Sequence, residues 1–261
     1  MNDYNNLANL PADTGGIHTA YPLGTNDSPY GYYVYEPSVK GPVYPLLVFL
    51  HGAGEKGNSS DSPDILNLVL RNGPPMLINK NKWLPRYPVI VVSPQCHDGG
   101  WNGTKVHEFI TFIIKNYKVN QKRIYITGLS MGGYGTFNYL TTTADSCYAA
   151  AAVPICGAGN TSKVEGMKHI PTWAFHGDAD GTVNVSGSIN MINAINEANP
   201  PIKAKLTIYP GVGHNSWAKT YDGSGMGTES ADYDAFNMDI YNWMFQYEWH
   251  QFFSAETSDL K

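Results

Sequence analysis

The segment Arg123 to Gly133, RIYITGLSMGG, most narrows what this chain can fold into. Strand-like residues run straight into a glycine-spaced turn, G-x-S-x-G at Gly128, Ser130 and Gly132, and a helix of small residues follows near Tyr134 to Thr142. Turning so sharply from strand to helix needs glycine where backbones close in, and it strains the central residue, whose side chain is left at the tip. The rest of the chain repeats such units. PLLVFL (45–50) and YPVIVVSP (87–94) are continuous apolar runs of the kind buried on both faces, and GYYVYEP (31–37) alternates. Val106 to Tyr117 has helical spacing; strands are expected at 149–155, 172–176 and 204–210, and helices near Ser186 to Ala198 and Tyr233 to Tyr247. This alternation predicts an α/β fold, a mostly parallel central sheet with helices on both faces, and its chemistry belongs beyond the C-terminal strand ends.

Composition limits the partners. Seventeen Lys and Arg stand against 22 Asp and Glu, net charge -5, without a basic cluster, which argues against nucleic acid. No stretch approaches the roughly 18 apolar residues of a membrane span. The 261 residues suit one domain, expected over 31–261; residues 1–30, polar and broken by Pro11, Gly15, Gly16, Pro22 and Pro29, read as an irregular arm laid over it. The low charge and abundant Asn, Gly and Tyr favour a secreted or periplasmic address over a cytoplasmic one, although the first residues carry no basic segment followed by an apolar one. Cys96, Cys147 and Cys156 allow one disulfide at most.

A serine hydroxyl is a poor nucleophile, so Ser130 needs a base and a group to orient that base. Two later strand ends supply them. TWAFH runs into His176-Gly177-Asp178-Ala179-Asp180, and LTIYP into Gly211-Val212-Gly213-His214. The order serine, aspartate, histidine is that of an α/β-hydrolase. Asp180 is preferred to Asp178 because it lies further from the strand end, where the loop can bend its carboxylate towards an imidazole on the next loop. His51 and His176 each end a strand before glycine and suit a role in shaping the turn.

The strand PLLVFL ends in His51-Gly52-Ala53-Gly54-Glu55-Lys56-Gly57. Gly52, Gly54 and Gly57 satisfy the dinucleotide pattern G-x-G-x-x-G, but NSSDSPD follows where a helix should run, and no acidic residue from Ile65 to Arg86 can hold a ribose. The other reading uses the whole set of motifs: the N–H groups of Ala53 and of Met131, beside the serine, form an oxyanion hole.

LLVFLHGAGEKG, RIYITGLSMGGYGTFN, VPICGAG, WAFHGDADGTV and YPGVGHNSW together resemble the bacterial α/β-hydrolase esterases grouped in carbohydrate esterase family 1, which include feruloyl and acetylxylan esterases. The resemblance runs from about Tyr30 to Gln246. It implies Ser130 as nucleophile, Asp180 as acid and His214 as base, and it adds Pro94-Gln95 and Trp101 as an active-site segment. Gln95, Trp101 and Trp217 are therefore candidate substrate-binding residues, the two indoles as stacking surfaces or as rings closing the core beneath the loops. The implied reaction is hydrolysis of acetyl or feruloyl esters, on small molecules or oligosaccharides, without metal or cofactor. Two other readings use the same scaffold: a peptidase of the prolyl-oligopeptidase kind, and a non-catalytic carbohydrate-binding protein, whose mark would be a missing triad member.

Overall fold

The computed structural model describes residues 10, 12–83, 85 and 87–249; the first nine residues and Pro11 of the expected arm, and residues 250–261 of the expected domain, lie outside them. The apolar runs form eight strands: β1 (Gly16–Tyr21), β2 (Gly31–Pro37), β3 (Tyr44–Leu50), β4 (Ile90–Gln95), β5 (Val119–Leu129), β6 (Ala149–Ile155), β7 (Trp173–Gly177) and β8 (Lys205–Tyr209). They lie side by side in the order β1-β2-β4-β3-β5-β6-β7-β8. β1 with β2 and β2 with β4 are antiparallel, and every later pair is parallel.

Among the described residues, six α-helices cover the sheet: α1 (Gly73–Asn79), α2 (Gly103–Asn116), α3 (Met131–Thr143), α4 (Ser186–Glu197), α5 (Trp217–Tyr221) and α6 (Ile240–Met244). Successive side chains of a strand point to opposite faces, so β3 serves two cores at once. Leu46, Val48 and Leu50 pack with Phe109 and Ile113 of α2, Phe137 of α3 and Ile192 of α4. Leu47 and Phe49 pack with Leu77 of α1, Tyr221 of α5 and Tyr241 of α6. The expected α/β architecture with helices on both faces is the one observed.

Two expectations are corrected. Residues 16–21 of the expected irregular arm form β1, because alternating side chains let GIHTAY pair along its whole length with β2 despite the flanking Gly15 and Pro22. The expected helix from Tyr233 to Tyr247 is reduced to α6. Its first half instead follows the free edge of β8, where Ser230 N donates to Ile208 O, Asp234 N to Leu206 O, and Leu206 N to Asp234 Oδ2, each at 2.8 Å. Backbone groups on a sheet edge need partners, and this need outweighs the helical spacing. The three cysteines are all buried and unpaired.

Among the described glycines, the one with least room for a side chain lies where α3 begins. A Cβ added to Gly132 would sit 1.9 Å from the carbonyl oxygen of Leu50 and 2.8 Å from that of His51. The end of β3 and the start of α3 therefore touch backbone to backbone. We expect Gly132→Ala to cost at least about 3 kcal/mol by urea denaturation, the upper end of an overpacking penalty. Gly54→Ala, where the added carbon meets nothing within 4 Å, should stay within about 0.5 kcal/mol.

Candidate active site

Four strand ends meet at one edge of the sheet. After β5, Ser130 takes φ 53° and ψ -117°, a left-handed conformation that an L-residue adopts only under constraint. The constraint is visible: Ser130 N donates to Ile155 O of β6 at 3.0 Å, while Gly128 and Gly132 leave no space for a side chain. The hydroxyl is thereby held out at the head of α3.

His214, on the loop after β8, points Nε2 at Ser130 Oγ, 2.9 Å away, and Nδ1 at Asp180 Oδ2, 2.7 Å away. Nδ1 carries the proton in this arrangement, so Nε2 can accept one from the serine. The other oxygen of Asp180 accepts the backbone N–H groups of Thr182 (2.8 Å) and Val183 (2.9 Å). Burial would raise the pKa of this carboxyl, but the hydrogen bonds from His214, Val183 and Thr182 outweigh it and hold the group below the ordinary carboxylate value. Asp178 turns away and accepts from Gly211 N at 2.6 Å, joining the β7 and β8 loops.

Asp180 has a further partner that sequence reasoning missed. His176 Nε2 lies between Val183 O, 3.0 Å away, and Asp180 Oδ2, 3.1 Å away, and Nδ1 lies 2.8 Å from Ser188 Oγ. The ring is fully buried, which lowers its pKa, and because both groups facing Nε2 are acceptors, Nε2 carries a proton and donates between them. Its signal in the sequence was the four-residue interval between His176 and Asp180, which a tight turn converts into contact.

Ala53 and Met131 each open a helical turn, Ala53 that of a 3-10 helix (Ala53–Glu55) and Met131 that of α3. The first N–H groups of a helix have no acceptor within it, which leaves both donors available. The 3-10 turn is held from several sides. Buried His51 donates from Nδ1 to Gly52 O (2.6 Å) and accepts Cys96 N at Nε2 (2.9 Å). The Trp101 indole N–H donates to His51 O at 2.9 Å. Gln95 Nε2 donates to Glu55 O (3.1 Å) and Ile65 O (2.8 Å). Gln95 and Trp101, expected to face substrate, are thus almost wholly buried and spend their polar donors on this turn. Trp217 is half-buried beside the base: its ring stands edge-on to His214 with centroids 5.2 Å apart, and its indole N–H donates to Asn72 Oδ1 at 3.1 Å. Asn72 in turn donates from Nδ2 to Glu55 Oε1 at 2.7 Å, so one bridge joins the base loop to the Ala53 turn.

Among the described residues, one group of ligand-type atoms lies close enough to surround a cation: Cys156 Sγ with a carboxylate oxygen of Asp180 and a nitrogen of His214. It is poorly suited to that task. Burial pushes the Cys156 thiol up to about 12, which keeps it protonated, and its sulfur lies 3.3 Å from Ser130 N.

The parallel sheet, the strained serine after β5 and the acid and imidazole after β7 and β8 together define the α/β-hydrolase class. Residues 103–248, more than half of the chain, match the dienelactone hydrolase family. The chain belongs to that family. It is 28% identical over 160 residues to the bifunctional acetylxylan esterase/xylanase XynS20E of Neocallimastix patriciarum, covering 58% of this chain and 22% of that protein. It is 25% identical over 177 residues to acetylxylan esterase A of Aspergillus ficuum, covering 61% of this chain and 54% of that one. The chain thus spans about a fifth and about half of these two relatives. A thermostable esterase of known structure superposes with a TM-score of 0.65 at 28% identity, over 89% of this chain and 63% of its own. No helix among the described residues is long and apolar enough to cross a membrane.

His51 makes the support of the Ala53 turn sensitive to acid. Burial lowers its pKa to about 4, so the folded state binds this proton more weakly than the unfolded chain does. Its stabilising contribution is complete above the ordinary imidazole value of about 6.5 and is lost as pH falls through about 4. Histidine-ring NMR should show His51 unprotonated from pH 8 to about 5, with the urea midpoint falling as the solution is acidified below 6.5.

Proposed function

We propose that this protein is a serine esterase that hydrolyses carboxylic esters through an acyl-enzyme, and that its substrates are acetyl or hydroxycinnamoyl esters of sugars or small alcohols. The observation that carries this reading is the continuous contact Ser130 Oγ, His214 Nε2, His214 Nδ1, Asp180 Oδ2, at 2.9 and 2.7 Å. His214 takes the proton of Ser130 as its oxygen attacks the ester carbonyl, and Asp180 stabilises the imidazolium that forms. The N–H groups of Ala53 and Met131 receive the negative charge that develops on the carbonyl oxygen. His214 then delivers its proton to the departing alcohol and activates the water that frees the acid. The acetylxylan esterase relatives support the choice of substrate.

In this reading His176 is a positioning residue: its Nε2–H, shared between Val183 O and Asp180 Oδ2, ties the Val183 backbone to the carboxylate and keeps Asp180 Oδ2 aimed at His214. A neutral donor on that oxygen also offsets some of its charge. Without it Asp180 would hold the His214 proton more firmly, and the acid limb of the pH-rate profile would move to higher pH.

Ser130→Ala should lower kcat by at least about three orders of magnitude on an activated acetyl ester, with the thermal unfolding midpoint and circular dichroism retained. An organophosphonate should label the native protein at Ser130 and leave the variant unlabelled; near-normal turnover by the variant would exclude the assignment. His176→Phe should lower kcat/KM roughly tenfold, the value of a hydrogen bond to a charged group, and shift the acid limb upward. A uniform loss of rate with an unmoved pH profile would reduce His176 to a packing role.

A further inference from the structure

A groove of about 350 Å³ begins at Met131, the residue after Ser130, and runs along α3. Trp101, Asn160 and Lys163 line it together with Tyr134 and Asn138 of α3. Neither the base nor the acid uses this space. We propose that it seats the sugar that carries the ester, with Tyr134 as the surface on which the pyranose ring stacks; the inference rests on the serine-esterase reading and specifies the alcohol half of the substrate.

The position is set by helix geometry. Tyr134 N donates to Ser130 O at 3.0 Å, so Tyr134 stands one turn beyond the nucleophile, displaced by roughly 6 Å along the axis. Asn138 follows one turn later on the same side. Tyr134 is 44% exposed, one of few large apolar side chains left open to solvent. An open aromatic face at such a place is unusual in a chain that buries most of its tyrosines.

The lining matches a sugar better than an aromatic acid. A pyranose presents C–H groups to one flat ring and hydroxyls to polar groups around its edge, and one platform with a polar rim is what the groove supplies. Asn138 already accepts Gly103 N at its carbonyl oxygen, so it offers the groove N–H donors, and Lys163 offers three more. A planar hydroxycinnamoyl group is best held between two rings. The second ring here is unavailable: Trp101 is 8% exposed, its N–H is spent on His51 O, and Gly135 packs against its side chain. An acetyl group is too small to need the space.

The test compares an acetylated xylose disaccharide with ethyl acetate, followed by acid release, on the native enzyme, Tyr134→Ala and Tyr134→Phe. For Tyr134→Ala, KM for the disaccharide should rise about tenfold, and the ratio of kcat/KM between the two esters should fall by the same factor. Tyr134→Phe, which keeps the ring, should hold the ratio within about twofold. An unchanged ratio in Tyr134→Ala, or equal losses on both esters, overturns the sugar seat while leaving the esterase reading intact. A selective loss on feruloyl ethyl ester instead would assign the groove to the acyl group and overturn it too. A native enzyme that cleaves neither acetyl ester and escapes the phosphonate overturns the esterase reading first.

Discussion

Everything at the site depends on a backbone contact that no side chain could survive. The start of α3 is pressed so closely against the end of β3 that Gly132 cannot carry a Cβ, and the same closeness sets Gly52 against Leu129. Ser130 takes up the resulting strain in its left-handed conformation, and Ile155 O holds it there through the Ser130 N–H. Local strain of this kind persists only where the surroundings over-determine it. Here the surroundings are β3, β5 and β6, the middle of a parallel sheet with both faces covered.

A second tier of residues keeps the opposite side of the site in register. His51 and Gln95, at the ends of β3 and β4, and Trp101, on the loop before α2, hold the backbone oxygens of residues 51, 52 and 55 at the Ala53 turn. Asn72 and Trp217 join that turn to the base loop from the other face of the sheet. Oxyanion donors act only if they stand still while charge develops, because a donor that must reorganise gives back what it contributes. The buried polar side chains around Ala53 supply that rigidity through the backbone they hold.

The sheet, its helical covering and the Ser130 turn were legible in the sequence because each rests on local pattern: apolar runs, their alternation with helical spacing, and glycine placed where backbones touch. The chain order of Ser130, Asp180 and His214 was legible for the same reason, since each ends a recognisable strand. The direction of Gln95 was not, because a side chain's heading depends on which neighbour needs its donor, and for Trp101 the sequence left a stacking role and a place in the core both open. His176 looked like a turn-shaping residue, and its bond to Asp180 required the loop itself. β1 was hidden by the glycines and prolines around a short alternating run. The helix expected from Tyr233 was overruled by the edge of β8, whose unpaired backbone groups no periodicity count can detect.

The tyrosine surplus has its own consequence. Helices of five residues have little stability of their own, yet α5 follows the His214 loop directly and must not drift. Tyr221 at its end reaches through the core to Thr127, with the two hydroxyls 2.9 Å apart, and Tyr241 of α6 donates to Tyr221 O at 3.0 Å. Thr127 lies on β5, three residues before Ser130. The His214 loop and the Ser130 turn are thus measured from a common datum inside the protein: an aliphatic core would let the short helix slide, whereas rings tipped with hydroxyls index it to one position along the strand.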